Sequence, residues 1–208
     1  MTRGSGRSSG PSLRGVTMVR KLLVACLALT AASGVSAREL DIGLSDEVAE
    51  INFSMPAGQP FQASQARWGL GFLYNDNDDY VATGSLSVRG HAREGYRPVQ
   101  LGAGVKAYGG RLDRPSKSVG ALGVGASARF GIPTDIPLAL ILSGTVAPKI
   151  TTFGDADRVT DLTGRLEAQI TEAASLYAGY RYLRFNMERG LRDERVADGF
   201  QVGVSLRF

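Results

Sequence analysis

The chain has 208 residues, with 24 Lys and Arg against 20 Asp and Glu, one Cys and one His. Five of those bases, Arg3, Arg7, Arg14, Arg20 and Lys21, precede residue 38 with no acid among them, which leaves 19 bases against 20 acids in the remainder. The basic pI therefore says nothing of nucleic acid, and a lone cysteine excludes a disulfide scaffold and a cysteine-built metal site.

Residues 1–17 are rich in Ser, Gly and Arg and are read as an annotation extension, with Met18 as the expected initiator. From Met18 the chain reads as a secretory signal peptide over 18–37. Val19, Arg20 and Lys21 form the basic n-region, 22–32 the apolar core, and Val35, Ser36 and Ala37 the small-residue cleavage site. Cleavage is expected after Ala37. A lipoprotein box ending at Cys26 is the alternative, but four apolar residues between Lys21 and Cys26 are too few for the apolar core.

The remainder, 38–208, is expected to be one domain. No apolar run approaches the twenty or so residues that a spanning helix needs. What recurs is a segment of about ten residues alternating apolar with small or polar, bounded by turn residues. In chain order these segments fall at about 38–45, 48–56, 64–75, 80–90, 98–108, 119–130, 138–148, 158–170, 175–185 and 199–208. The fold predicted is all-β: an antiparallel transmembrane β-barrel of about ten strands. Eight strands behind a looser N-terminal segment are the alternative. With the N-terminus in the periplasm, the connections 46–47, 75–79, 109–118, 149–157 and 186–198 face outward, the last three being the longest.

Period two does not say which face is inside, because a lipocalin-like barrel points its apolar residues inward. Aromatics near strand ends, Trp68, Tyr74, Tyr80, Tyr182, Phe200 and Phe208, suit a membrane girdle. The opposite face carries Gly69, Gly71, Gly102, Gly104, Gly123, Gly125, Gly179 and Gly203, which would line a lipocalin pocket poorly. That face also carries charges of both signs. Glu39, Asp41, Glu50, Asp161 and Glu167 are expected in the lumen against Arg67, Arg89, Lys106, Arg129, Arg165, Arg181 and Arg207. A small barrel is largely filled by side chains, so a salt-bridged plug is favoured over a narrow, anion-biased pore.

The last strand alternates Phe200, Val202, Val204, Leu206 and the terminal Phe208 with polar or small residues. These five are expected to form the signal read by the barrel-insertion machinery. The other expected partners are outer-membrane lipid and lipopolysaccharide.

Taken together, LYAGYRY at 176–182, the ADG that follows a polar loop, the final strand, the Trp68 to Val88 hairpin with its NDNDD turn, and the Arg38 to Met55 segment resemble the YfaZ family of small bacterial outer-membrane proteins. The resemblance implies an outer-membrane β-barrel, structural or narrow and porin-like, with no catalytic motif to carry over.

Other chemistry is weakly signalled. An outer-membrane acyl hydrolase would need a His at the outer rim. His91 follows Gly90 in an expected periplasmic turn, at the wrong end. The run Asn75-Asp76-Asn77-Asp78-Asp79 offers hard oxygen ligands but lacks the Gly and Glu of a calcium loop, so it reads as a hairpin tip. Gly120, Gly123 and Gly125 do not match a dinucleotide fingerprint and are taken as small inward positions. No cofactor and no metal are expected. A surface-loop adhesin or lipopolysaccharide-contact protein is the alternative function.

Overall fold

The computed structural model describes residues 38–58, 64–93, 96–112, 117–187 and 193–208. The extension, the signal segment and its cleavage site lie outside the described residues. Ser36–Phe208 forms one compact unit.

Eleven strands follow in chain order: β1 Glu39–Leu44, β2 Val48–Gly58, β3 Ser64–Asn75, β4 Tyr80–Arg93, β5 Tyr96–Leu112, β6 Lys117–Ile132, β7 Leu138–Ala147, β8 Thr152–Gly154, β9 Ala156–Gln169, β10 Ala174–Met187 and β11 Glu194–Arg207. Each long strand pairs antiparallel with its neighbours; β5–β6 and β1–β11 pairing join the ends, so the sheet closes on itself. β8 is no separate stave. After a 3-10 turn at Lys149–Thr151 it resumes the line of β7 against β6, meeting Val119–Ala121 where β7 meets only 124–132. The barrel therefore has ten staves, and the eight-strand alternative is excluded.

Both termini lie at one end, where Arg38 and Phe208 exchange backbone hydrogen bonds of 2.9 and 3.0 Å. This is the periplasmic end in barrels of this class. The opposite end carries the connections at 148–155 and 188–193.

Within the bilayer zone the alternation has the expected sense. Leu101, Val105, Leu162, Leu166, Leu176 and Val202 point out and are exposed, while Lys106, Arg165 and Arg181 on the same strands point in. A closed ladder leaves no unpaired edge in lipid, and an apolar outer surface needs no polar partner there. Of the expected girdle, Tyr74, Tyr80 and Phe200 are exposed toward the outer end; Tyr182 is half-buried, and Tyr180, outside the expected set, is exposed and meets Phe200 edge-to-face at 5.5 Å. The Tyr180 hydroxyl donates to Asp198. Trp68, nearer the terminal end, meets Phe53 edge-to-face at 6.2 Å.

Toward the outer end several strands run on past the sequence boundaries, and there the sense inverts. β5 continues to Leu112 and β10 to Met187, with Leu112, Leu183, Phe185 and Met187 buried inside. Val81, Val159 and Val196 join them, and Leu73, Val119 and Val48 pack alongside. The outer connections are accordingly shorter than 109–118 and 186–198. A tilted bilayer crossing uses about 9–11 residues, so a strand of 17 residues projects well beyond the lipid. Above the lipid both sides of the wall meet water, and apolar side chains gain only by turning inward.

Three other expectations are corrected. His91 is not in a turn: it belongs to β4, paired with Gln100, because the ladder with β5 continues past Gly90. Gly120 stands on the opposite parity to Val119 and Ala121, which are buried, and lies beside Phe153 of β8. Asn75 and Asp79 of the acidic turn are buried, not solvated. Asn75 Oδ1 accepts from the backbone N–H groups of Asn77 and Asp79 at 3.0 and 3.1 Å, and its Nδ2 donates to Asp79 at 3.0 Å. That side chain organises the turn.

Candidate functional site

Below the apolar outer core the lumen is polar, with a cavity of about 690 Å3 that opens toward the terminal end. Glu39, Asp41, Glu50, Arg67, Arg89, Lys106, Arg129, Arg165, Arg181 and Arg207 line it. Asp161 and Glu167 are buried in its wall, bonded to those cations. All twelve residues of the sequence reading thus stand on the inward side, put there by strand parity.

They form two layers. In the upper one Asp161 accepts from Lys106 at 2.9 Å, from the Tyr108 hydroxyl at 2.9 Å and from Arg181 at 3.3 Å. Arg181 also reaches Glu50 at 3.0 Å, whose carboxylate takes a 2.7 Å bond from Asn52. Removing ions from water is costly, and this layer offsets it by giving each carboxylate more than one donor.

The lower layer centres on Glu167, which is 1 % exposed and meets three guanidiniums: Arg207 at 2.8 Å and Arg129 and Arg165 at 3.4 Å. Arg165 pairs with Asp41 at 3.3 Å, and Arg67 with Glu39 at 3.1 Å. Ser205 donates to Glu39 at 3.0 Å, and Arg67 donates to Ser54 at 2.7 Å. Among the described residues Arg89 is in no salt bridge. It is solvent-accessible, and its stem lies across Gly102, where an added Cβ would sit 3.0 Å from Arg89 Cγ.

Two participants escaped the sequence reading. Tyr108 closes the upper layer and meets Phe185 edge-to-face at 6.4 Å, so it joins the polar lumen to the apolar core above. Tyr177 lies over Gly43 and Gly203, its hydroxyl where a Cβ on either glycine would stand, and Arg165 stacks on its ring at 4.6 Å. Both tyrosines occupy inward parity positions, which was the available signal. The apolar outer core gave none: Leu112, Met187 and Val196 lie beyond the expected segments, and Leu73, Val81, Val159, Leu183 and Phe185 stand near the outer ends of theirs, on the face read as polar.

The ion pairs do not fill the lumen, and an apolar core lies at its other end. Among the described residues no group of His, Cys, Asp and Glu is arranged to hold a metal. His91 is exposed and lines the terminal-end mouth of the cavity.

The family described as YfaZ precursor matches residues 19–208 of the chain. No curated protein matches it. A chain from work on the in-meso crystallization of membrane proteins is similar at 14% identity and TM-score 0.41, with 83% of each chain covered. The outer membrane channel DcaP of Acinetobacter baumannii is similar at 9% identity and TM-score 0.42, over 86% of this chain and 55% of that one. The translocator domain of autotransporter NalP from Neisseria meningitidis is similar at 16% identity and TM-score 0.29, over 94% of this chain and 96% of that one.

Proposed function

Because the chain belongs to the YfaZ family, we propose that it serves as a closed structural barrel of the outer membrane, neither an enzyme nor an open diffusion channel. The observation that carries this reading is the apolar core across the outer end of the lumen, where Val81, Val159, Leu183 and Phe185 are wholly buried. A hydrophobic constriction stops ions by excluding water. In planar bilayers the protein is expected to give no conductance steps; regular steps from the wild type would overturn the reading. Replacing Leu112, Leu183 and Phe185 together by Ser should open a current if these residues form the seal.

The same reading covers delivery. Cleavage after Ala37 would release a chain starting at Arg38, which N-terminal sequencing of outer-membrane fractions tests. Phe200, Val202, Val204, Leu206 and Phe208 present one continuous outward face on the closing strand, suited to recognition by the insertion machinery and then to contact with lipid. Deleting Phe208 should lower insertion far more than Arg207→Ala, and equal insertion of the two would count against it.

A further inference from the structure

We infer that the terminal-end cavity is a binding site for a small soluble polyanion bearing phosphate or carboxylate groups, with Arg89 as its principal contact. The lumen holds more cations than carboxylates, and the excess is not spread evenly. Arg67, Arg129, Arg165 and Arg207 each have a carboxylate within 3.4 Å. Arg89 has none among the described residues. It lines the same cavity as Arg67, Arg129, Arg165 and Arg207, and the carboxylates Glu39 and Asp41 there are bonded to Arg67 and Arg165. A guanidinium held among like charges in a cavity walled by low-dielectric protein attracts a counter-charge, and its planar fork suits phosphate and carboxylate oxygens.

The surroundings fit such a guest. Gly102 leaves the space that the Arg89 stem crosses, and Ser127 Oγ lies 2.5 Å from where a Gly102 Cβ would be, so a hydroxyl adjoins the Arg89 stem. The cavity, about 690 Å3, is in the range of small-molecule sites. Arg89 points into the lumen and not at lipid, which favours a soluble anion over a phospholipid headgroup. One-sided access depends on the outer seal, which bilayer recordings test. The anion site is tested separately, so each reading can fail alone.

The experiment is calorimetric titration of the folded full-length mature barrel in neutral detergent at low salt with inorganic pyrophosphate. Saturable binding is expected. Arg89→Gln should weaken it about 10-fold or more, as loss of a charge-assisted hydrogen bond implies. Arg89→Gln orphans no carboxylate, so it should fold, as heat-modifiable electrophoresis will show. Arg158→Gln, the same charge change at an exposed position near the outer end, should bind as wild type. Absence of saturable heat, equal affinity in Arg89→Gln, or tighter binding of dihexanoyl phosphatidylglycerol than of pyrophosphate would each overturn the assignment.

Discussion

The bilayer zone and the outer collar are built from the same strands, yet they obey opposite rules. In β10, Leu176 and Tyr180 face out while Tyr177 and Arg181 face in; two turns of the pleat later, Arg184 and Asn186 face out while Leu183, Phe185 and Met187 are buried. Along β10 strand parity does not change. The solvent on the outer surface does, from hydrocarbon to water, and the hydrophobic effect reverses the favoured face with it. The collar is thus folded like a small soluble barrel standing on a membrane one.

The comparison is most sharply broken at two buried residues on either side of Tyr108, one in the polar lumen and one in the collar. Asp161→Ala strips Lys106 and Arg181 of a shared carboxylate and should destabilise by about 3–5 kcal/mol. Phe185→Ala should cost about the same, 3–5 kcal/mol, through a cavity in the collar. Urea unfolding from lipid vesicles measures both; a collar variant without effect would show that the apolar core does not stabilise the barrel.

A charge placed on the outer surface distinguishes the zones directly. Leu166→Arg, facing lipid, should cost about 2–4 kcal/mol near the midplane. Ser118→Arg, outward on the collar between the buried Lys117 and Val119, should stay within about 0.5 kcal/mol. Equal costs would mean that lipid reaches the collar. The smallest effect concerns Asp193, which the Met187 N–H and the Arg184 guanidinium hold below the usual carboxylate range. A depressed carboxylate stabilises above its unfolded value, about 3.9, and that contribution is lost as pH falls through the folded value. Hydrogen exchange of the β10–β11 hairpin should therefore rise on acidification below about pH 4 in the wild type and less so in Asp193→Asn.

The same reversal explains what could be read from the residues alone. Leu162, Leu166 and Ile170 alternate with Asp161, Arg165 and Glu167 because one face must dissolve in lipid, so strand number and the inward charges were legible. Tyr108 marks where legibility stopped in β5: beyond it Leu112 points in and Arg111 out, and a template requiring apolar residues outside reads that stretch as loop. The sequence reading also expected the charges to fill the lumen. All but Arg89 pair with one another in layers and leave the cavity, while the apolar core is built from residues whose direction only the ladder fixes. Asn75 was likewise opaque, since its 3.2 Å bond to the Val196 carbonyl joins positions 121 residues apart.

Tyr177 has a kinetic consequence. Its ring rests on Gly203 of the adjoining strand and on Gly43, which pairs with Gly203 across the junction of β1 and β11. The first hairpins can form from local contacts, but this three-strand contact cannot exist until the two chain ends meet, the pairing of greatest sequence separation in the barrel. Non-local pairings of that kind are slow. The environment of Tyr177 should therefore change late in assembly, making it an internal clock for barrel closure.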